Sequence, residues 1–313
     1  RIHYPLLVAC AYSGYVIWHM GYSSSAALFV SSEGHSLVDK IGVIPVTETI
    51  FTTFNITLAL ITLLIITIIN PLMQPTKDSE IKEIDSNVFR IGYDKDSNNL
   101  NQNIRTIAQR IENNRLITIF VGLILIFFIS YIFYTKGFSL DLNLVSWTFL
   151  GIGLLLSNSA IHYVKLVNNA ATTIGPIILQ YPFYAGIMGM MADTGLINVI
   201  ASGISSISSP ETLGFYAFLS GGLVNMFIPS GGGQWAVQGP VMIEAAKSLN
   251  VEPYVIVLGV AYGDQWTNMI QPFWTIPLLA IAGLHMRQIM GYTFVIFLVT
   301  GILYGAAMLL LGS

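Results

Sequence analysis

The sequence predicts an all-α polytopic membrane protein, and composition is the first observation that supports this fold class. Of its 313 residues, 54% are hydrophobic and 9% are charged, whereas soluble domains carry about 25% charged residues. The second observation is a pair of apolar segments that are broken by Gly and Ser, at Gly21 to Ala26 and Pro229 to Trp235. The third is a set of apolar stretches that approach or exceed the roughly 20 residues of a membrane-spanning helix. They are Val43 to Ile69, Leu116 to Tyr134, Val145 to Leu156 and Phe294 to Leu311.

Charge and cysteine content argue against several other classes of protein. The 13 Lys and Arg residues against 16 Asp and Glu residues leave a net charge of -3, so we expect no nucleic-acid partner. Cys10 is the only cysteine, which rules out an internal disulfide and a cysteine-based metal site. The chain opens on Arg1 without a signal-peptide pattern. We therefore expect that it begins inside a longer protein and that an N-terminal part of the fold is missing.

One long polar segment, Gln74 to Asn114, is predicted to link two membrane parts. Its basic residues place it in the cytoplasm by the positive-inside rule. Near its end, Ile104, Ile107 and Ile111 have helical spacing and predict an interfacial helix. The predicted division is a first-repeat portion at 1-73, the linker at 74-114 and a second repeat at 115-313.

The second half contains a predicted re-entrant helical hairpin. Leu213 to Ile228 is apolar enough to enter a bilayer but stops at a Pro-Ser-Gly-Gly-Gly run that begins at Pro229. Ala236 to Leu249 is too short and too polar to be an independent span. Non-helical backbone at membrane depth needs protein or a water-filled cavity to satisfy its polar groups. The glycines therefore indicate a cavity.

The first half shows the same order of features. Tyr4 to Met20 leads to a tip at Gly21 to Ser25, and a later long segment opens with Thr47-Glu48-Thr49. The corresponding helix of the second half is predicted to have two breaks, at Gly263 to Gln265 and at Gln271-Pro272. Paired interrupted segments in two halves indicate inverted repeats with a binding site between them.

The number of crossings between the two hairpins leaves two alternatives. Leu116 to Tyr134, Val145 to Leu156 and Pro176 to Met191 are predicted membrane segments, followed by an amphipathic stretch from Leu196 to Ile207. Together with Val43 to Ile69 of the first half, these three segments give four crossings between the hairpins. An inverted repeat requires an odd number. Either Ala160 to Asn198 crosses twice or one long segment is not a single crossing.

The broken segments carry groups suited to a small anion. Backbone N-H groups at a helix break lack acceptors and carry partial positive charge, which favours a carboxylate. Glycine lets the backbone approach the ligand, and Trp235, Trp266 and Phe273 are suited to line the apolar side. The alternative is that small residues here only allow close helix packing. The predicted substrate-binding residues are Ser23, Ser24, Ser25, Thr47, Thr49, Ser230, Gly231, Gly232, Gly233, Gln234, Trp235, Thr267, Asn268 and Gln271.

Two carboxylates beside the broken segments, Glu48 and Asp264, are candidates for coupling to H+ or Na+. Intramembrane carboxylates are costly to bury and are functional candidates for that reason. The alternative is that both lie at water-exposed helix ends. His19 is a candidate proton relay, with a structural hydrogen bond to backbone as its alternative. Neither a metal nor an organic cofactor is expected.

Two motifs of the second half, Asn225 to Pro240 and Gln265 to Trp274, resemble one known family closely. They are similar to the bacterial short-chain fatty acid transporters of the AtoE type. In the first half, Trp18-His19 and Ile44 to Phe51 stand where the pattern of that family would put them. The resemblance implies a carrier for short-chain fatty acids such as acetoacetate or butyrate. It also implies the ion-transporter superfamily fold, with two inverted repeats, elevator-like motion and a homodimer.

The predicted function is therefore secondary transport of short-chain monocarboxylates across the inner cell membrane, without enzymatic activity. The expected partners are the substrate and the lipid bilayer. One alternative is an intramembrane serine hydrolase that uses Ser23 or Ser230 with His19. No serine lies in a Gly-x-Ser-x-Gly elbow, which disfavours this alternative. The other alternative is a carrier of a different small organic anion.

Overall fold

A computed structural model of the chain describes residues 1-84, 106-137, 142-196, 199, 202-203 and 206-312. All regular secondary structure in these residues is helical. The α-helices are α1 Tyr4–Ser13, α2 Ser25–Val30, α3 Val38–Ile41, α4 Thr53–Leu72, α5 Ile107–Glu112, α6 Arg115–Lys136, α7 Leu142–Leu156, α8 Ala160–Asp193, α9 Leu213–Asn225, α10 Gly231–Ser248, α11 Pro253–Thr267, α12 Thr275–Ala282 and α13 Met286–Gly312. Three short 3-10 segments are Gly14–Met20, Val46–Glu48 and Asp78–Glu80.

The helices form two compact units. The larger unit is Arg1–Ile84 with Ile178–Ser313, and the smaller unit is Asp85–Ile177. In the smaller unit, α6 and α7 pack together, and a Cβ on Gly122 of α6 would lie 2.7 Å from Leu155 Cγ of α7. The predicted division of the chain at 73 and 114 stays a prediction.

Three helices are long and apolar enough to cross a membrane, within the part of the chain that the structure describes: Thr53–Leu72, Arg115–Thr135 and Met286–Gly312. They fall in three of the four predicted apolar stretches. The fourth lies in α7, a shorter apolar helix. The stretch from Val43 becomes regular α-helix only at Thr53, because Thr52 accepts the N-H of Asn55 and caps α4 there.

The segment after the linker differs from its predicted form. Residues 160-193 form one continuous helix of 34 residues, about 51 Å long. Pro176 therefore does not begin a separate segment, and the stretch up to Asp193 does not cross twice. The predicted interfacial helix begins at Ile107, after a capping box of Thr106 and Gln109. Residues 85-105, with Ile104, and part of the predicted stretch from 196 to 207 lie outside the described residues.

Three interruptions in the helices of the larger unit define its functional region. We call residues 21-24 the first break, residues 226-230 the second break and residues 268-274 the third break. The first arm is residues 4-20, which comprise α1 and the 3-10 segment that continues it. Each break is followed by a new helix, α2, α10 and α12 respectively.

Two predicted breaks are wrong in position. Gly231, Gly232 and Gly233 are not in the second break but form the first turn of α10, because Ser230 caps that helix and accepts the N-H of Gly233 at 3.3 Å. The stretch from Gly263 to Gln265 does not interrupt α11, which continues to Thr267. The predicted interruption at Gln271-Pro272 does coincide with the third break.

The core of the larger unit is built around α11, in which every residue from Val255 to Gln265 is buried. Helices α9, α10 and α13 and the first arm all pack against it. Glycines allow this close packing: a Cβ on Gly221 would lie 2.7 Å from the carbonyl oxygen of Val260, and a Cβ on Gly263 would collide with backbone atoms of α9. Helix α11 is therefore surrounded by protein on all sides.

Gly263→Ala is expected to lower the stability of the protein. The new Cβ would overlap the carbonyl oxygen of Phe218 and the amide of Gly222, and backbone atoms cannot move aside as a side chain can. Overpacking of this kind costs about 1-3 kcal/mol. The measurement is thermal unfolding of the purified protein in detergent. Gly291→Ala in α13, where a Cβ meets nothing within 4 Å, is the control, and equal unfolding temperatures for the two variants would contradict the close approach.

Candidate functional site

The start of α10 packs on the residues that flank the first break, at the end of the first arm and at the start of α2. A Cβ on Gly231 would lie 2.5 Å from His19 Nε2 and 2.7 Å from Trp18 Cη2. A Cβ on Gly232 would lie 3.6 Å from Ser25 Cβ. The two Gly- and Ser-rich segments are therefore neighbours in the fold, and the close approach at 231 requires glycine.

Hydrogen bonds shape the first break. Ser24 is fully buried, caps α2 by accepting a backbone N-H of its first turn, and places its Oγ 3.1 Å from His19 Nδ1. The backbone N-H of His19 donates to Gln265 Oε1 at 2.9 Å. Ser23 is exposed and donates to the carbonyl oxygen of Trp18. His19 is consequently held from both sides, by the first break and by α11.

Asp264 lies on α11 at the centre of this region and is 1% exposed. Its Oδ2 lies 3.4 Å from His19 Nε2, and its Oδ1 accepts a hydrogen bond of 3.2 Å from Asn268 Nδ2. No Lys or Arg side chain is buried among the described residues. His19 is therefore the basic side chain that lies against this carboxylate.

Asn225, the last residue of α9, connects the second break to the third. Its Nδ2 donates to the carbonyl oxygen of Asp264 at 3.0 Å, to Thr267 Oγ1 at 2.9 Å and to Asn268 Oδ1 at 2.9 Å. Tyr12 of the first arm donates to the carbonyl oxygen of Asn268 at 2.8 Å. These bonds satisfy backbone groups that the end of α11 leaves without helical partners.

Several buried polar atoms near the breaks have no hydrogen-bond partner among the described residues. Buried polar groups in folded proteins are almost always paired, so such a group of atoms indicates a place where water or a ligand binds. Tyr15 stacks on Trp18 with 5.6 Å between ring centroids and meets Trp274 at 5.9 Å, which gives the region an apolar wall. The unpartnered atoms are Trp18 Nε1, His19 Nε2, Asp264 Oδ2, Gln265 Nε2, both polar atoms of the Gln271 side chain and Trp274 Nε1.

The structure brings together most of the residues predicted to bind substrate. They are Ser23, Ser24 and Ser25 at the first break, Ser230, Gly231, Gly232 and Gly233 at the start of α10, and Thr267, Asn268 and Gln271 at the third break. The candidate coupling residue Asp264 joins them through His19. The predicted proximity of the two halves is therefore seen at the level of single contacts.

Other predicted residues lie elsewhere. Gln234 Nε2 donates to the carbonyl oxygen of Gly221 and to Gln238 Oε1, so its side chain faces α9. Trp235 is fully buried against Gly239 of its own helix. Trp266 stacks on Phe297 of α13 with 4.4 Å between centroids and does not line the region of the breaks.

Thr47 and Glu48 are exposed and line a separate cavity of about 380 Å³. Glu252 and Leu258 also line this cavity. Leu258 lies six residues before Asp264, so the cavity wall on α11 is about 9 Å along the helix axis from the buried carboxylate. Thr49 is buried and its hydroxyl has no partner among the described residues. Of the two candidate coupling carboxylates, Asp264 is thus the buried one.

Four residues of the site carried no clear signal in the sequence. Tyr12 and Gln265 make hydrogen bonds that join segments more than 200 residues apart, and Tyr15 acts through the packing of aromatic rings. Asn225 bonds residues about 40 positions further along the chain. The motifs that contain Asn225 and Gln265 were visible, but nothing in the sequence separated these two residues from their neighbours.

The chain matches the family model described as "Short chain fatty acid transporter" over residues 1–311. The chain belongs to the short-chain fatty acid transporter family. This confirms the resemblance of the motifs at Asn225 to Pro240 and Gln265 to Trp274. With its three long apolar helices, this member of the family is a membrane protein.

Two relatives support the assignment to the short-chain fatty acid transporter family, and both are named "Putative short-chain fatty acid transporter". The protein from Escherichia coli K12 is 36% identical over 307 residues, which cover 96% of this chain and 68% of the relative. The protein from Haemophilus influenzae Rd is 33% identical over 322 residues, which cover 99% and 69%. No solved structure shows a significant match to this transporter-family chain.

Asn225→Leu is expected to destabilise the larger unit, because leucine has a similar size but no donor. The side chains of Thr267 and Asn268 and the carbonyl oxygen of Asp264 would each lose a buried hydrogen bond. Each unsatisfied group costs about 1-3 kcal/mol. Thermal unfolding in detergent measures the effect, with Asn143→Leu at an exposed position of α7 as the control. If both variants unfold at the wild-type temperature, the network contributes no stability.

Proposed function

We propose that the protein is a secondary carrier that moves short-chain monocarboxylates, such as acetoacetate or butyrate, across the inner cell membrane. The observation that carries the proposal is the contact between the first turn of α10 and the end of the first arm, beside unpartnered buried atoms of Trp18 and His19. The names of the two relatives support the substrate class and a transporter without enzymatic activity.

The start of α10 suits a carboxylate. It begins an 18-residue helix whose N-terminus carries partial positive charge. The N-H of Gly233 is taken by Ser230, whereas those of Gly231 and Gly232 lie in the first turn, where a helix supplies no acceptor. Since no Lys or Arg is buried among the described residues, backbone N-H groups and His19 are the donors for the substrate anion.

The apolar tail of the substrate is assigned to the aromatic group of Tyr15, Trp18 and Trp274. The Tyr15 ring lies between the other two, with its centroid 5.6 Å from that of Trp18 and 5.9 Å from that of Trp274. Trp235 and Trp266, which the sequence suggested for this role, are engaged in packing. A hydrocarbon chain of a few carbons fits an apolar wall of this kind beside polar groups that fix the carboxylate.

The pairing of the breaks is also the basis for a proposal about the architecture of the carrier. We propose that the two halves are inverted repeats, each with a re-entrant hairpin and a broken transmembrane helix, that work by elevator motion in a multi-pass homodimer with a cytoplasmic linker. The first and second breaks each follow a helical arm and precede a capped helix, which supports the repeat. Crosslinking of the purified protein tests the dimer. Cysteines introduced in the linker and labelled in intact cells test on which side of the membrane the linker lies.

Uptake of labelled butyrate and acetoacetate by full-length protein in proteoliposomes tests the function. Gly231→Ala is expected to lower the initial rate at least tenfold, because the new Cβ displaces the rings of His19 and Trp18 and small misplacements in a site have large effects on rate. Gly34→Ala, where a Cβ meets nothing within 4 Å, is the matched control. Absence of uptake by the wild type under both proton and Na+ gradients would overturn the proposal.

Competition separates the monocarboxylate proposal from transport of another small organic anion. Unlabelled acetate, butyrate and acetoacetate are expected to inhibit butyrate uptake, whereas a dicarboxylate such as succinate should not, because no buried Lys or Arg in the described residues is present to bind a second carboxylate. Stronger inhibition by succinate than by acetate would assign a different substrate class.

One observation favours the alternative of a serine hydrolase. Ser24, His19 and Asp264 form a row, with 3.1 Å from Ser24 Oγ to His19 Nδ1 and 3.4 Å from His19 Nε2 to Asp264 Oδ2. Burial argues against a nucleophile, because Ser24 is 0% exposed and its Oγ already caps α2. The capping role accounts for the serine without chemistry.

Ser24→Ala distinguishes the two functions. Loss of a cap costs about 0.5-2 kcal/mol, so the carrier proposal expects a small fall in unfolding temperature. It also expects butyrate uptake that is reduced but still measurable, because the contact of Ser24 with His19 is lost. A hydrolase would lose all activity and all labelling by a serine-reactive fluorophosphonate. Wild-type labelling that disappears in Ser24→Ala would support the hydrolase.

A further inference from the structure

The contacts of the Asp264 carboxylate leave its charge only partly balanced. Among the described residues Asp264 is the one buried carboxylate. Its Oδ2 and the Nε2 of His19 lie 3.4 Å apart, and neither atom has another hydrogen-bond partner within the described residues. A buried ion pair is favourable only when its geometry is good and its remaining polar atoms are bonded. This pair meets neither condition fully, because its atoms are 3.4 Å apart and lack further partners among the described residues.

The same histidine atom faces the proposed carboxylate site. A Cβ on Gly231 would lie 2.5 Å from His19 Nε2, so the start of α10 and Asp264 Oδ2 both border this nitrogen. A substrate carboxylate at the start of α10 would therefore sit within a few ångströms of a second, buried carboxylate. Two such groups disfavour each other's ionised form. Binding of the substrate thus favours uptake of a proton nearby.

We propose that the His19-Asp264 pair binds the coupling proton and that one proton is carried with each monocarboxylate. This inference rests on the proposed function. The charge balance is simple: the substrate brings one negative charge, and the proton taken up by the pair brings one positive charge. The loaded site then has the same net charge as the empty one, so the carrier moves between its two states without added charge.

Other titratable groups around the pair do not offer an equivalent site. Tyr12 and Tyr15 of the first arm pack nearby, and the hydroxyl of Tyr12 is bonded to the carbonyl oxygen of Asn268. The hydroxyls of Tyr262 and Tyr304 donate to Asn55 Oδ1 and to the carbonyl oxygen of Val16. The remaining titratable side chains on the helices that pack against the pair are Tyr4 and Cys10 on α1, Tyr216 on α9, Glu244 and Lys247 on α10, Tyr254 on α11, and Arg287 and Tyr292 on α13. None of them is a buried carboxylate or a buried cation.

The wild-type test uses full-length protein in proteoliposomes with labelled butyrate. A gradient of one pH unit is a tenfold ratio of protons, so 1:1 coupling should support about tenfold accumulation after subtraction of entry into protein-free liposomes. The initial rate should not change with an imposed K+ diffusion potential, because the loaded step moves no net charge. Accumulation that follows a Na+ gradient and ignores pH would overturn the inference but leave the carrier function intact. Absence of any protein-dependent butyrate exchange would instead overturn the carrier function.

The variant test separates binding from coupling. In Asp264→Asn, exchange of labelled for unlabelled butyrate should persist. The ratio of butyrate concentration inside to outside the liposomes under the pH gradient should fall to about one. Asp39→Asn, at an exposed position of α3, is the matched control and should accumulate like the wild type. Tenfold accumulation by Asp264→Asn would overturn the proposal, as would loss of coupling in Glu48→Gln with coupling retained in Asp264→Asn.

Asp264→Glu covers the case in which the asparagine variant no longer folds. This variant keeps a carboxylate opposite His19, so it should exchange butyrate and also accumulate it under the pH gradient. Exchange without accumulation by Asp264→Glu would show that the carboxylate does not carry the proton and would overturn the proposal.

Discussion

The burial of the Asp264 carboxylate is the constraint on which the organisation of the larger unit depends. A charge removed from water must be paired and hydrogen-bonded to be tolerated. The carboxylate has partners from two parts of the chain, His19 of the first arm and Asn268 of the third break. Asn225, at the end of α9, bonds the backbone carbonyl of the same residue. Contacts to Asp264 therefore join the first arm, the third break and the helix that leads to the second break.

Glycine makes that convergence geometrically feasible. Gly221 and Gly263 let α9 lie against α11, and Gly231 lets α10 begin against the first arm. For the small residues of the broken segments, Gly231 among them, the sequence left close packing and ligand binding as alternatives. The structure shows close packing at Gly221, Gly263 and Gly231, and at Gly231 the packing also puts the start of a helix beside buried polar atoms. Packing and a binding role are compatible at that position because the tight contact itself builds the wall of the site.

The sequence allowed the helical class, three long apolar helices and the pairing of two Gly- and Ser-rich segments to be predicted, since each depends on composition or on local order. Helix ends were harder. A run of three glycines predicts a break by propensity, yet the cap at Ser230 and the contact with the first arm make it a helical turn. Gly263 remains helical for a similar reason, because α9 lies against it. The role of Trp266 was missed because its partner, Phe297, is far away in the sequence.

The use of histidine opposite Asp264 has a physical meaning that an arginine would not. An arginine remains charged at every accessible pH and would hold the carboxylate permanently ionised. Histidine changes its charge near neutral pH, so a His-Asp pair can hold either of two net charges. The cap at Ser24 and the bond from the His19 amide to Gln265 hold the ring in place, so that a change in charge does not require it to leave its position. A carrier that must return empty needs such a reversible charge, and this pair is the contact between a buried histidine and a buried carboxylate in the described residues.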